Sequence, residues 1–285
     1  MKKVMIMGML FGAMAVTGFG NENDGIFAFR IGQFEVFMLV ESERAGNAGI
    51  LVGADSAVLN RYIPAEGFRH SANAFLVKAG GQNILIDTGT GTGDILLGKI
   101  KTLGVEPDNI NAVLITHLHG DHFGSLQRNG RAVFPNAKIY LSARELEYFT
   151  VTNVNQGAAA ALAPYSSQIT AFEPGGFDNG REILPGVTPF AAYGHTPGHT
   201  IYQIESNGEK LLIIGDLLHV GPVQFPVPDI SATYDMDQRT SASVRRQVLD
   251  YAARNRILIG GIHIAYPGTG TVEADGNGFK FTPRN

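Results

Sequence analysis

The chain has 285 residues, 44% hydrophobic and 17% charged, a globular composition long enough to bury a core without cross-links. It contains no cysteine, which excludes disulfide scaffolds, thiolate zinc sites, iron–sulfur clusters and cysteine nucleophiles. A net charge of −4, with no block of like charges, argues against nucleic acid as a partner.

Lys2 and Lys3 precede the apolar run Val4 to Val16, followed by Thr17-Gly18-Phe19-Gly20 and then polar Asn21-Glu22-Asn23-Asp24. This charged, apolar, small-residue order is that of a secretory signal peptide, and the run is short for a membrane span of ~20 residues. Residues 1–20 are expected to be a cleaved leader and residues 21–285 a single domain, exported to the periplasm or secreted. Losing the leader removes Lys2 and Lys3 and no acid, so the charge becomes −6. No other stretch is long enough to cross a membrane, and the mature protein is expected to be soluble.

Phe27, Phe29 and Ile31 alternate with Ala28 and Arg30, and Phe34, Val36 and Met38 continue with the same period, which predicts two strands. Ala74–Val77 and Ile84–Ile86 flank Gly80-Gly81, and Ile201–Ile204 and Leu211–Ile214 flank Asn207-Gly208. Both patterns predict hairpins. Helices are expected from Asp94 to Leu103 with Gly104 as the stop, from a Ser142 cap through Phe149, and from Ser241 to Asn255. On the last helix Val244, Val248, Tyr251 and Ala252 share the apolar face, and Arg245, Arg246, Arg254 and Arg256 are read as a solvated face. Residues 151–170 carry no clear pattern.

Three of the eight histidines fall within Thr116-His117-Leu118-His119-Gly120-Asp121-His122, directly after the apolar strand Ala112–Ile115. If the strand runs on through His119, His117 and His119 point the same way, and a turn at Gly120 returns Asp121 and His122 to the same spot. Imidazoles and a carboxylate converging without thiolate suit zinc, manganese or iron. The cluster has room for two ions, His117 and His119 facing one, Asp121 and His122 the other. More ligands stand at the ends of apolar strands: His195 after Pro189–Ala192, Asp216 after Leu211–Gly215, and His263 after Ile257–Ile262.

His117-x-His119-x-Asp121-His122, followed by His195, Asp216 and His263, is similar to the metallo-β-lactamase-fold hydrolases, whose first motif matches Ile86-Asp87-Thr88-Gly89. Gly215–Val220, Val223-Gln224-Phe225 and Ile262–Gly268 resemble the methyl parathion hydrolase branch, related to dinuclear lactonases and arylesterases. The resemblance implies an α+β fold, a four-layer αββα sandwich with metals at one edge. It implies a first metal held by His117, His119 and His195, a second by Asp121, His122 and His263, and Asp216 bridging them. His199 is expected to be structural, Asp87 to hydrogen-bond the metal loops, and His70 to play no part.

Two divalent cations, zinc first, manganese or iron otherwise, imply metal-assisted hydrolysis by a bridging hydroxide. Asp121 is expected to carry its proton, and His219, three residues after Asp216, to donate to a carbonyl oxygen or departing alkoxide. Phe225, Phe149 and Tyr165 are placed in an apolar wall. Lactones and esters are ranked above phosphotriesters, because an alkoxide needs protonation on leaving and a nitrophenolate does not. β-Lactamases with a second-site cysteine are excluded by composition, another β-lactamase group lacks the bridging aspartate, and diiron oxidoreductases carry glutamate where His119 stands. A β-lactamase and a non-catalytic exported metal-binding protein are the competing readings. The expected partner is a small-molecule substrate, with no nucleic acid and no membrane once the leader is gone. A homodimer is the one assembly considered.

Overall fold

A computed structural model describes residues 19–21 and 24–284. The expected leader lies outside the described residues apart from its last two, which with Asn21 pair in a short strand against Ile26–Ile31. The alternating apolar residues do form strands. Phe27, Phe29 and Ile31 are buried on one face of Ile26–Ile31, and Val36 and Met38 join them from Phe34–Ala45.

Among the described residues the first sheet has eight strands. It begins with four antiparallel pairings, running from Phe19–Asn21 through Ile26–Ile31, Phe34–Ala45 and Arg69–Ala79 to Gln82–Ile86. It then continues in parallel with Ala112–Leu114, Lys138–Ser142 and Ile169–Phe172. The second sheet has six strands, in the order Val187–Ala191, Thr200–Ser206, Glu209–Ile213, Leu258–Gly260, Thr269–Asp275 and Gly278–Pro283. Both expected hairpin turns adopt positive φ at their two central residues, 56° and 82° at Gly80-Gly81, 53° and 80° at Asn207-Gly208. Such turns match the twist of the flanking strands.

Side-chain alternation divides the interior into layers. Phe75 and Val77 point between the sheets, where they meet Tyr202, Ile204, Leu211 and Ile213. Ala74 and Leu76 of the same strand face outward onto Leu96, Ile100, Leu118 and Leu162. On the other side Ile201, Leu212 and Ile214 pack against Val248, Leu249 and Ala252 of the helix Gln238–Asn255. Helices, sheet, sheet and helix make the four-layer αββα sandwich.

Ile95–Thr102 forms a helix as expected. The run after Ser142 is helical from Ala143 to Glu147 and then widens into a π-helical turn, Tyr148–Thr152. The patternless segment holds a further helix, Gln156–Leu162, capped by Asn155. The last helix begins at Gln238, three residues before the expected start, because Asp237 caps it. Its inner face is centred on Ser241, Arg245, Val248 and Ala252, so Arg245 is fully buried and the solvated reading of that residue is wrong.

Candidate metal centre

The strand before the histidine cluster ends at Leu114 and does not run on through His119 as expected. The chain instead leaves the sheet after Leu114, and His119 precedes a single helical turn, Gly120–Phe123, that swings Asp121 and His122 inward. His195, Asp216 and His263 follow the strands Val187–Ala191, Glu209–Ile213 and Leu258–Gly260 of the second sheet. Four loops from two sheets thus meet at one edge of the sandwich.

His117, His119, His195 and Asp216 bring one donor atom each within 4.8 Å of one another, and so do Asp121, His122 and His263. Asp216 stands between the groups. Its Oδ2 lies 3.1 Å from His263 Nε2, 3.2 Å from His219 Nε2, 3.3 Å from His195 Nε2 and 3.7 Å from His117 Nε2. Its Oδ1 lies 3.1 Å from His122 Nε2. Asp121 faces His122 Nε2 at 3.6 Å and His263 Nε2 at 3.5 Å.

The outward ring nitrogens are already engaged. His122 Nδ1 donates to Asp87 Oδ2 at 2.8 Å, His195 Nδ1 to Asp235 Oδ1 at 3.0 Å, and His263 Nδ1 to the Ser71 carbonyl at 2.8 Å. These acceptors fix each ring with its Nε2 lone pair turned inward, as in metal-binding histidines. The consequence is crowding of like groups. His119 Nδ1 sits 3.0 Å from both His117 Nε2 and His195 Nε2. His122 Nε2, Asp216 Oδ1 and His219 Nδ1 are buried with no hydrogen-bond partner. Converging lone pairs and orphaned buried acceptors need a cation, and a nitrogen–oxygen donor set without thiolate fits a divalent one.

The electrostatics agree. Burial opposes ionisation of Asp216, yet His122, His263 and His117 hold its carboxyl well below the usual range. Burial also disfavours charge on His195, but Asp216 and Asp235 lift it to about 9. Burial takes His119 down to about 4, aided by His195. The carboxylates thus favour positive charge that the close-packed imidazoles cannot all accept as protons. Metal ions would supply that charge without the extra protons.

His199 lies behind the cluster. Its Nδ1 donates to the Ala192 carbonyl, and its Nε2 accepts the Asp216 N–H at 3.0 Å, so it supports the aspartate's backbone. Asp87, at φ 57°, accepts from the Thr116 N–H and hydroxyl, both at 2.8 Å, as well as from His122. Its motif role of tying the loops together is what the hydrogen bonds show.

A cavity of about 340 Å³ opens onto Asp121, Asp216 and His263, with Arg44, His70, His219 and Tyr234 around it. His70, expected to play no part, lines this cavity. It stacks on His263 with ring centroids 4.5 Å apart, placed there by pairing across the strand edge with Ile264. The apolar wall is only partly as expected. Phe149 stands edge-on to His119 at 6.1 Å. Tyr165 is instead a core residue, its hydroxyl bonded to the Leu126 carbonyl and the Phe134 N–H. Phe225 stacks on Phe281 and lines a separate, largely apolar cavity of about 490 Å³, which meets the first at His263. Asp235, Glu145 and Tyr234 were also missed. Each is a lone polar residue in the sequence with no motif around it.

A four-layer sandwich with a nitrogen–oxygen donor cluster at its edge has the frame of a metal-dependent enzyme class. The chain belongs to the metallo-beta-lactamase superfamily, whose profile matches residues 67–256. It is 27% identical over 123 residues to the N-acyl homoserine lactonase AiiA of Bacillus thuringiensis subsp. kurstaki, covering 42% of this chain and 44% of that one. It is 31% identical over 129 residues to a hydroxyacylglutathione hydrolase of Francisella tularensis subsp. novicida, covering 44% and 42%. The chain thus spans less than half the length of these curated relatives. The solved structure of AbOPH, a hydrolase of the beta-lactamase superfamily, superposes with a TM-score of 0.81 at 26% identity, covering 91% of this chain and 97% of that one. AidC, a dizinc quorum-quenching lactonase, shares the fold with a TM-score of 0.81 at 24% identity, covering 92% and 98%.

Proposed function

We propose that this chain is an exported dinuclear-metal hydrolase of small-molecule lactones or esters, with activated phosphotriesters as secondary substrates. The observation that carries the reading is the single carboxylate, Asp216, set between two groups of inward-facing imidazoles. One tetrahedral ion cannot use that many donors. The likeness to AiiA supports a lactone as substrate, and the leader pattern of residues 1–20 supports export.

Two divalent cations, zinc before manganese or iron, would supply an activated water and polarise the substrate's carbonyl oxygen. His117, His119 and His195 would hold one and Asp121, His122 and His263 the other, with Asp216 fixing their spacing. Asp121 also borders the cavity. Burial works against its ionisation, but His122 and His263 hold its carboxyl below the ordinary value, so it is a carboxylate at neutral pH and can accept a hydrogen bond from the attacking water. His219 borders the same cavity, its ring stacked on His263 and its Nε2 3.2 Å from Asp216 Oδ2. With its proton on Nε2, His219 would donate it to the departing alkoxide and leave the ring to be reprotonated from water.

Elemental analysis should approach two metals per chain, and a firm limit of one with metal in excess would refute the dinuclear reading. A panel of lactones, aryl esters, phosphotriesters and β-lactams tests the substrate class, and preference for β-lactams would overturn it. His219→Leu should lower lactone or alkyl-ester turnover by ~10²-fold or more while sparing activated phosphotriesters. Equal loss on every substrate would remove His219 from the chemistry.

A further inference from the structure

Arg245 is the largest fully buried side chain of the described residues, and every N–H of its guanidinium is used. Nε donates to the Leu217 carbonyl at 2.6 Å, and Nη1 donates to the Pro228 and Ile230 carbonyls, both at 2.8 Å. Nη2 donates to Ser241 Oγ and to Asp235 Oδ2, each at 3.2 Å. Asp235 Oδ2 also accepts the Ala232 N–H at 2.9 Å. Its other oxygen has a single partner, His195 Nδ1, at 3.0 Å.

The surrounding backbone keeps this pairing in register. The Met236 N–H donates to the His195 carbonyl at 3.1 Å and the Asp237 N–H to the Gly194 carbonyl at 2.9 Å. Gly194, at φ 127°, lies directly against the Ser241 backbone, where a side chain would collide. The His195 loop is therefore clamped to the start of the last helix, and Arg245 reaches from that helix to the carbonyl next to Asp216. A fully buried arginine is costly unless its hydrogen bonds are complete. Here they are completed by the loop that carries Asp216, by the segment from Pro228 to Asp235, and by Ser241 of its own helix.

We infer that Asp235, held by Arg245, is a positioning residue that fixes the proton of His195 on Nδ1 and so presents Nε2 to the position shared with His117 and His119. This deepens the dinuclear reading and rests on it. An asparagine at 235 would reverse the control. Its amide oxygen would satisfy the two donors, Arg245 and Ala232, leaving the NH2 facing His195 Nδ1. That contact favours the other tautomer, with a proton on Nε2 aimed at the metal position.

The test is zinc titration of the full chain against a chelating indicator, comparing wild type with Asp235→Asn. One of two zinc sites should weaken by about 10–100-fold, the usual effect of losing a ligand's supporting partner, while the other is unchanged. The melting temperature of the metal-free protein serves as a folding control. A cycle with His195→Ala separates positioning from general support. If Asp235 acts through His195, Asp235→Asn should cost no further zinc affinity once that imidazole is gone, whereas a general structural effect would add in full. Asp235→Ser, which leaves room for water, repeats the cycle if the asparagine variant does not fold. If neither variant folds, Asp235 is a structural strut and the inference fails. Two zinc sites of unchanged affinity in Asp235→Asn would also overturn it, with the dinuclear reading intact. Fewer than two sites in the wild type would instead overturn that reading first.

Discussion

Glu145 ends no charged run and lies in no motif, yet it is fully buried in the middle of the short helix Ala143–Glu147. Its Oε1 accepts the Leu118 N–H, and its Oε2 accepts the Thr196 hydroxyl and the Gly198 N–H, all at 2.8 Å. One carboxylate thus joins the loop of His117 and His119 to the loop of His195. Burial pushes its carboxyl up, against the pull of those donors and of His195. Glu145→Ala would leave two buried amides without acceptors, at about 1–3 kcal/mol each, while the threonine hydroxyl can turn elsewhere. Removing a buried carboxylate returns part of that cost. The expected loss is about 2–4 kcal/mol, or roughly 5–15 °C in melting temperature for a chain of this size. Glu145→Gln keeps one acceptor oxygen and should fall about midway. Circular dichroism melts of metal-free protein give the comparison. An alanine variant melting within about 2 °C of wild type would show that Glu145 does not hold the loops.

Asp216→Ala should lose at least one metal and cut turnover by more than the ~10–100-fold that a supporting residue costs. Full metal content with full activity would reduce Asp216 to a strand-end residue. Gly215→Ala should destabilise by about 1–3 kcal/mol, since Gly215 sits at φ 51° and a methyl group there would press on His199 Nε2, the acceptor of the Asp216 N–H. An unchanged denaturant midpoint would refute that reading. Protein recovered from its native host should begin near Asn21, and mass spectrometry finding an intact Met1 in soluble cytoplasm would refute export.

Much of the frame was legible because it is local. Phe27, Phe29 and Ile31 alternate because one side of their strand faces a second sheet, and Asn207-Gly208 reads as a turn because few residue pairs tolerate positive φ twice. His117, His119, Asp121 and His122 were legible because six residues of one loop carry four of the seven expected ligands. Apart from Asp87, read from its motif, the partners of those ligands were not. Asp235 is 40 residues from His195, Glu145 is 53 from Gly198, and the Ser71 carbonyl is 192 from His263. Sequence periodicity says which face of an element is apolar, and nothing about which polar residue the facing element presents. Arg245 was misread for that reason: an arginine on a helix with three other arginines has the pattern of a wet surface.

What the supporting residues share is a mechanical role. The named strands leading into the cluster end before its residues, so the imidazoles lie outside the main sheet ladders, and their mutual crowding favours spreading apart. Each loop is instead pinned by a buried polar side chain from a neighbouring element. Asp87 holds Thr116 and His122, while Glu145 holds Leu118 and Gly198. Gln224 accepts the N–H groups of His219 and Val220, and Asn73 donates to the Gly261 and Ile264 carbonyls on either side of His263. Asp235 and Arg245 complete the set at His195 and Leu217. Buried polar groups are costly when unpaired, so each of these side chains is stable only while its loop keeps the geometry that pairs it. The same bonds that satisfy the interior therefore hold the cluster together against its own repulsion, ready for the cations its donors fit.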